Sequence, residues 1–210
     1  MKKLVLFFLL SICLVDVCAQ NKTLEKALKK EYKAKMKEYK KEGWKITASS
    51  RSLDVALLLH YEKLSDENSR ELVGAVSNCR SINVCRQAAL NNAAAYYASL
   101  AGSHLKGRVV SDLAVNQSDN DSNAEFDKLY AAYERCVEKE IKGEMMESYT
   151  ISRTNEETGQ KELQTYFIVN ESEATKARIR AWENAQKESE AAQKYATEVS
   201  KFINEGFAVE

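Results

Sequence analysis

The chain has 210 residues, with 31 Lys and Arg against 31 Asp and Glu, 44% hydrophobic residues, seven Gly and no Pro. The apolar fraction is that of a globular protein, and the balanced charge argues against bulk nucleic-acid binding and against a disordered acidic tail. Because proline averages about 5% of residues in proteins, its absence excludes proline-rich linkers, collagen-like repeats and polyproline recognition segments. The composition favours long helices and short turns, and the length predicts one domain with an additional segment.

Residues 1–19 have the pattern of a secretory signal peptide. Met1–Lys3 is basic, Leu4–Val15 is apolar, and small residues follow at Cys18–Ala19, which is the order of regions in such a leader. We expect cleavage after Ala19; an uncleaved membrane anchor is the alternative. No later apolar run reaches the length of a membrane span. The sequence therefore predicts an extracytoplasmic protein, periplasmic or secreted, with no transmembrane segment in the mature chain.

Apolar periodicity and glycine positions divide the rest of the chain. The predicted segments are a basic amphipathic helix at 20–43, an α+β domain at 44–170 and a long C-terminal helix at 171–210. The C-terminal helix itself is predicted at 173–204. Further helices are predicted at about 53–64, 81–101 and 122–142, and strands at 44–47, 72–76, 105–115, 149–151 and 163–169, with a polar loop at 118–123. The last two strands form a hairpin around the polar turn at 155–160.

This order of elements predicts an α+β fold. The expected architecture is a two-layer domain with a four- to five-stranded sheet covered by helices on one side, plus long N- and C-terminal helices. The apolar seam of the final helix contains Ser and Ala at its middle, so we expect it to pack against a partner element there. The expected partner is the domain or the first helix, with the first helix favoured.

The first helix is unusually basic, since Lys22–Lys45 contains ten Lys and four Glu. Such a helix can lie on an anionic surface or follow a chain of phosphates. Arg is absent from it, so bidentate phosphate recognition is missing. The ordinary alternative is a solvated Lys–Glu face.

Three cysteines remain after the predicted cleavage: Cys79, Cys85 and Cys136. An oxidising compartment permits a disulfide between Cys79 and Cys85. The alternative is that all three are small buried apolar residues. A metal site is disfavoured because neither His60 nor His104 lies at ligand spacing from a Cys, and no cofactor is predicted.

The sequence offers little that points to catalysis. His60 lies in an apolar helical stretch and is expected at a boundary, while His104 opens a predicted strand beside basic residues. No serine has a G-x-S-x-G context, and no phosphate-binding glycine loop or H-E-x-x-H is present. The loop Asp119–Glu125 begins like a calcium loop but has Ala124 where glycine is needed, which favours a helix-capping loop. No catalytic residue is predicted.

Three segments carry a resemblance to a known group. They are Glu38–Trp44, the alanine-rich Ala88–Ala101 with the following Gly102–Val109, and Tyr166–Val169 leading into the final helix. Together they resemble uncharacterised exported proteins of Bacteroides-like bacteria, distantly similar to the Lpp-twenty-type envelope lipoprotein domain, over roughly residues 38–185. The resemblance implies a small α+β envelope domain without known catalytic residues. The lipid-accepting cysteine context of lipoproteins is missing from this chain.

The leading hypothesis is an exported envelope protein of non-enzymatic, structural or interaction type. Its helices would contact a protein partner, a second copy or the envelope surface, but not nucleic acid, and an exposed apolar strip along Glu173–Asn204 would support this. One alternative is an extracytoplasmic hydrolase using two facing carboxylates that are not paired with Lys or Arg. Another is a carrier of a small apolar ligand, with a closed cavity lined by Tyr96, Tyr97 and Phe167.

Overall fold

The computed structural model describes residues 25–112 and 120–204, and the structural statements below concern these residues. The predicted leader at 1–19 lies outside them. The helices are α1 (25–41), α2 (Leu53–Leu64), α3 (Ile82–Asp112), α4 (Asn120–Ile141), α5 (Glu171–Glu188), α6 (Glu190–Lys194) and α7 (Ala196–Asn204). The strands are β1 (Lys45–Thr47), β2 (Ser69–Val76), β3 (Met146–Thr154) and β4 (Lys161–Asn170).

The four strands form one antiparallel sheet in the order β1-β3-β4-β2. The predicted hairpin is β3 and β4. Its polar turn is organised by Asn155, whose side-chain oxygen accepts the backbone N–H groups of Glu157 and Thr158, and by Gly159, which adopts φ +65°. The predicted α+β fold is confirmed, with four strands in the sheet.

Helices cover both faces of the sheet, where the sequence analysis had placed them on one. On the first face, Leu72, Phe167 and Val169 join the main core with residues of α3, α4 and the C-terminal helices. On the opposite face, Tyr149 and Tyr166 pack with residues of α1, β1 and α2. The two terminal helical regions therefore lie on opposite faces. The C-terminal helices pack on the domain rather than on the first helix, which the sequence had favoured as their partner.

The predicted strand at 105–115 is also wrong for the part that the structure describes, because α3 continues to Asp112. Its buried residues Tyr97, Ala101, Leu105 and Val109 recur every four positions, which places them on one helical face. The α3 helix packs against α4 and α7. Gly102 does not end the helix. The predicted loop at 118–123 is likewise helical from Asn120, and 113–119 lie outside the described residues.

The predicted single helix at 173–204 is three helices. Ser189 has extended backbone angles, φ −137° and ψ 120°, and its side chain accepts the N–H of Ala192 as the N-cap of α6. A second interruption follows at Tyr195. Because a serine at a seam position can cap a new helix as well as continue the old one, the seam pattern alone did not reveal the break.

The connection from β2 to α3 is tightly fixed. A Cβ on Gly74 would lie 1.9 Å from the backbone oxygen of Ala89, so the absence of a side chain lets α3 approach the strand closely. A disulfide joins Cys79 to Cys85 with their Cα atoms 5.8 Å apart, and it ties the end of β2 to the start of α3. Cys136 is a buried free thiol on α4.

Candidate functional site

Seven lysines occupy one side of α1. At about 100° per residue they fall within a sector of about 120°, over roughly 22 Å of helix. All seven are exposed, and none lies within ion-pair distance of a described acidic residue. We call this surface the lysine face; it consists of Lys26, Lys29, Lys30, Lys33, Lys37, Lys40 and Lys41.

The negative charges of α1 lie outside the lysine face. The eighth lysine, Lys35, is on the other side of the helix, where its Nζ lies 3.0 Å from Oε1 of Glu38 and 5.2 Å from the ring centre of Tyr39. Glu25 and Glu31 project from positions outside the sector by the same helical geometry. Residues 25–41 therefore carry a net charge of +5, from eight Lys and three Glu, in a chain whose formal charge is zero.

Buried aromatic residues fix the orientation of α1. Tyr39 is fully buried, and its hydroxyl lies 2.9 Å from that of Tyr149 on β3. Trp44, just beyond the helix, is also buried; its indole N–H donates to Glu42 at 3.0 Å, and the Arg153 guanidinium lies 4.5 Å from its ring centre. Because these contacts engage one side of α1, the lysine face points into solvent.

An open groove of about 720 Å³ runs along the lysine face between α1 and α2. Lys33, Lys37 and Lys40 line it together with Tyr32 and Met36, and Asp54 lies at the α2 side. The groove therefore presents ammonium groups next to a small apolar strip.

A second groove of about 610 Å³ lies along α4 and α6 and contains both signs of charge. There Arg135 pairs with Glu188 at 2.9 Å and Lys194 pairs with Glu125 at 2.6 Å. Four of its charges thus form ion pairs within the protein, whereas no lysine of the lysine face lies within ion-pair distance of a described acidic residue.

A polar cluster of His60, Ser148 and Glu71, which we call the His60 cluster, lies between α2 and the sheet. Nδ1 of His60 is 3.0 Å from Oγ of Ser148, and Nε2 is 2.5 Å from Oε2 of Glu71. The imidazole is 1% exposed and lies edge-on to the rings of Tyr149, Tyr61 and Tyr166 at centre distances of 5.1 to 6.0 Å. His60 is therefore a core residue, and its predicted boundary position is wrong.

Local strand geometry brings Ser148 to this cluster. The pairing of β3 with β4 shifts between Glu147 and Tyr149, and such a bulge changes the direction in which a strand side chain points. A serine nucleophile is activated by an imidazole that contacts its hydroxyl, and a carboxylate orients that imidazole. Ser148, His60 and Glu71 make these two contacts. Residue spacing in the sequence does not reveal this set, because the contact of Ser148 with His60 depends on strand register.

The other predicted features resolve differently. Tyr97 is buried and accepts a hydrogen bond from Arg178, whereas Tyr96 is 58% exposed, so the two do not line one cavity with Phe167. His104 lies on α3 rather than opening a strand. Of the Asp119–Glu125 loop, Glu125 is described and pairs with Lys194, while residue 119 lies outside the described range.

In the part of the chain that the structure describes, two arginines each hold a pair of carboxylates. Arg180 lies 3.0 Å from Glu140 and 2.7 Å from Glu144. Arg153 in the same way holds Glu42 and Glu162, both at 2.7 Å. These pairs do not match the unpaired carboxylates that the hydrolase hypothesis requires.

Among the described residues of the C-terminal helices the expected apolar strip is not present, because Trp182, Val199 and Ile203 are buried. The large apolar residues that are exposed within the described ranges belong to α2, α3, β2 and β3: Val55, Leu58, Val73, Val84, Tyr96, Leu100 and Met146. None of the described helices combines the length and apolarity that a membrane span needs.

Comparison of the chain with family models, curated proteins and solved structures gives no match. The resemblance to the envelope lipoprotein domain therefore remains a prediction.

Proposed function

We propose that the protein is an exported, non-enzymatic component of the bacterial envelope that attaches to an anionic surface through the lysine face of α1. The observation that carries this proposal is the set of seven exposed lysines in one sector without a described acidic partner. Each lysine close to an anionic lipid surface contributes about 1 kcal/mol of attraction. Lysine suits such diffuse charge because its ammonium group is a point charge without a fixed fork geometry.

The attachment is peripheral and reversible. The apolar side of α1 is occupied by the protein core through Tyr39 and Met36, so it is not available to insert into acyl chains. Electrostatic attraction of this kind acts over about 8 Å at physiological ionic strength and weakens as salt is added.

Co-sedimentation with lipid vesicles tests this. The wild-type protein should bind vesicles containing phosphatidylglycerol but not pure phosphatidylcholine vesicles, and about 0.5 M NaCl should release it because of screening. Replacing Lys30, Lys33 and Lys37 by Gln should weaken binding about 100-fold, on the scale of about 1 kcal/mol per lysine.

The matched control removes three exposed lysines from other elements, Lys128, Lys139 and Lys187, again by Gln. It produces the same change in net charge and should retain most of the binding. Equal losses in both variants, or binding that salt does not weaken, would contradict a role for the lysine face. The export part is tested separately by mass spectrometry of the natively expressed protein, which should begin at Gln20 rather than at Met1.

The His60 cluster supports a second candidate, an extracytoplasmic serine hydrolase. Oγ of Ser148 would attack the carbonyl carbon of an ester, and Nδ1 of His60 would take the hydroxyl proton and pass it to the departing alcohol. The Glu71 carboxylate would stabilise the imidazolium. Water, deprotonated by the same imidazole, would then cleave the acyl-enzyme and restore the serine.

A fluorophosphonate probe separates the two candidates. If the cluster is catalytic, intact-mass measurement should show one adduct, which Ser148→Ala and His60→Gln abolish and which Ser65→Ala, at an exposed serine of the same layer, does not. A wild-type protein that stays unlabelled, with ester turnover equal to that of Ser148→Ala, would reject the hydrolase.

A further inference from the structure

The β2 strand lies at the edge of the sheet, and the direction of its backbone groups can be assigned. The ladder with β4 continues beyond the strand, where the N–H of Glu171 donates to the carbonyl of Asn68 at 2.7 Å. Alternate residues of an antiparallel strand bond to the same neighbour, so the even-numbered residues from 70 to 76 face β4. The contact of Asn92 on α3 with the Ala75 carbonyl, at 2.8 Å, agrees with outward-facing odd-numbered residues.

Two of the outward groups already have partners. The N–H of Ser69 donates to the carbonyl of Asp66 at 2.8 Å, and Asn92 occupies the carbonyl of Ala75. Six outward groups remain, and none of the described residues pairs with them: the carbonyl of Ser69, both backbone groups of Glu71 and of Val73, and the N–H of Ala75.

This edge is rigid and accessible. Close packing of Gly74 on Ala89 and the Cys79–Cys85 disulfide hold β2 against α3. On the other side of the sheet Val73 is 38% exposed. An unpaired, ordered edge of this kind is a template for another strand.

We infer that the β2 edge pairs with β2 of a second copy, antiparallel and with Leu72 opposite Leu72. In this register Glu71 faces Val73 of the second copy and Ser69 faces Ala75. All six free groups of each copy then find a free complementary group, which gives six hydrogen bonds. The two occupied groups, the Ser69 N–H and the Ala75 carbonyl, face each other at both ends of the pairing.

Neighbouring registers fit less well. With Glu71 opposite Glu71, or with Val73 opposite Val73, an occupied group of each copy lies opposite a free group of the other. Those free groups stay unpaired, and only four hydrogen bonds form. Of these three registers, one pairs all free groups of two identical strands related by a two-fold axis. This self-complementarity argues for a second copy as the partner rather than an unrelated peptide.

The pairing has a consequence for the lysine face, although it does not depend on the proposed function. A two-fold axis perpendicular to the joined sheet keeps the same face of both sheets on the same side. Both copies of α1 then lie on one side of the dimer. Two linked binding surfaces strengthen attachment through their effective concentration.

Register-specific cross-linking of the full chain tests the inference. Opposed residues in a hydrogen-bonded pair have Cα atoms about 5.5 Å apart, which a disulfide can span. An equal mixture of Ser69→Cys and Ala75→Cys should form a covalent heterodimer on mild oxidation. Either variant alone should not, because identical positions are then about 20 Å apart. No cross-link in the mixture, or equal cross-linking of the single variants, would overturn the register.

Sedimentation equilibrium tests the dimer itself. Val73→Glu places a carboxylate opposite Glu71 of the second copy, and like charges directly opposed on a sheet are destabilising, so the dimer dissociation constant should rise about tenfold. Val73→Lys introduces the opposite charge and should not raise it, and Val84→Glu, exposed on α3, should leave it unchanged. A wild-type chain that is monomeric at about 100 µM, a concentration at which weak specific complexes are populated, would reject the inference.

Discussion

The two faces of the sheet are covered in different ways. On the face of α3, alanines are numerous among the buried residues; Ala93, Ala94 and Ala177 are completely buried, and Gly74 meets the helix backbone directly. On the face of α1 and α2, large rings with polar ends predominate, such as Tyr39, Tyr149 and His60.

The two faces are therefore expected to respond to different kinds of substitution. The α3 face depends on close approach of backbones, so added volume should disturb it most. The opposite face depends on buried polar groups that satisfy one another, so loss of a single hydroxyl should matter there. The candidate functional residues lie on this second, smaller face, and loosening it should affect α1 more than the rest of the fold.

The largest effect is expected from Gly74→Ala. The new Cβ would collide with the Ala89 backbone, which cannot rotate away, and the free energy of unfolding should fall by about 3 kcal/mol. Gly107→Ala is the control, because this α3 position is open and alanine is the better helix former, which should stabilise by about 1 kcal/mol. Urea unfolding curves measure both; a Gly74→Ala variant as stable as wild type would refute the close-packing argument.

Removal of the disulfide should have the next largest effect. Replacing Cys79 and Cys85 by Ser should lower the free energy of unfolding by about 2 kcal/mol, because the unfolded chain loses a closed loop. Thermal unfolding with and without reductant provides the measurement. The wild type should lose stability on reduction while the double variant does not respond, and an unresponsive wild type would argue against the bond.

Alkaline pH should act on the opposite face. Burial raises the pKa values of Tyr39 and Tyr149 well above the usual value of 10, and burial with the nearby Glu31 carboxylate raises the pKa of Tyr61 to about 12. Since the folded pKa values are the higher ones, the stabilisation is complete below pH 10 and is lost as the pH rises further.

For each fully buried tyrosine the loss should approach about 1.4 kcal/mol per pH unit above 10. Absorbance at 295 nm should show these tyrosines titrating later in the native protein than in urea. Identical titration curves in the two states would contradict the burial argument.

The smallest and most local effect is expected from Tyr39→Phe. It removes one buried hydrogen bond to Tyr149, at a cost of about 1 kcal/mol. Hydrogen exchange should accelerate in α1 while amides of α3 keep their protection, and Tyr96→Phe, at an exposed ring, should change neither. Uniform acceleration across both helices would mean that the two faces unfold together.

Local patterns in the sequence predicted the elements whose signals are local. The amphipathic α1, the short β1, α2 and the hairpin with its Asn155 turn follow from spacing and turn chemistry. The strand at 105–115 failed because Leu105 and Val109 fit a helical period as well as an alternating one. Gly102 also favoured a helix end at a point where α3 continues. The break at Ser189 carries no glycine or proline.

The candidate sites also differ in whether they depend on local spacing or on tertiary structure. The lysine face could be anticipated, since residues three and four apart on a helix share a side whatever the tertiary structure. The contact of His60 with Glu71 and Ser148 could not, because it requires α2 to lie on the sheet and a bulge to turn Ser148 toward it. The open edge of β2 depends on strand order, which the sequence left undetermined.

The charge distribution of α1 has a practical consequence for handling the protein. Since 25–41 carry +5 and the whole chain sums to zero, every other part taken together is negative, and the molecule is polarised. It should be retained on cation-exchange resin at neutral pH despite its formal neutrality, because α1 would face the resin. Its elution position would therefore correspond to that of a more basic protein.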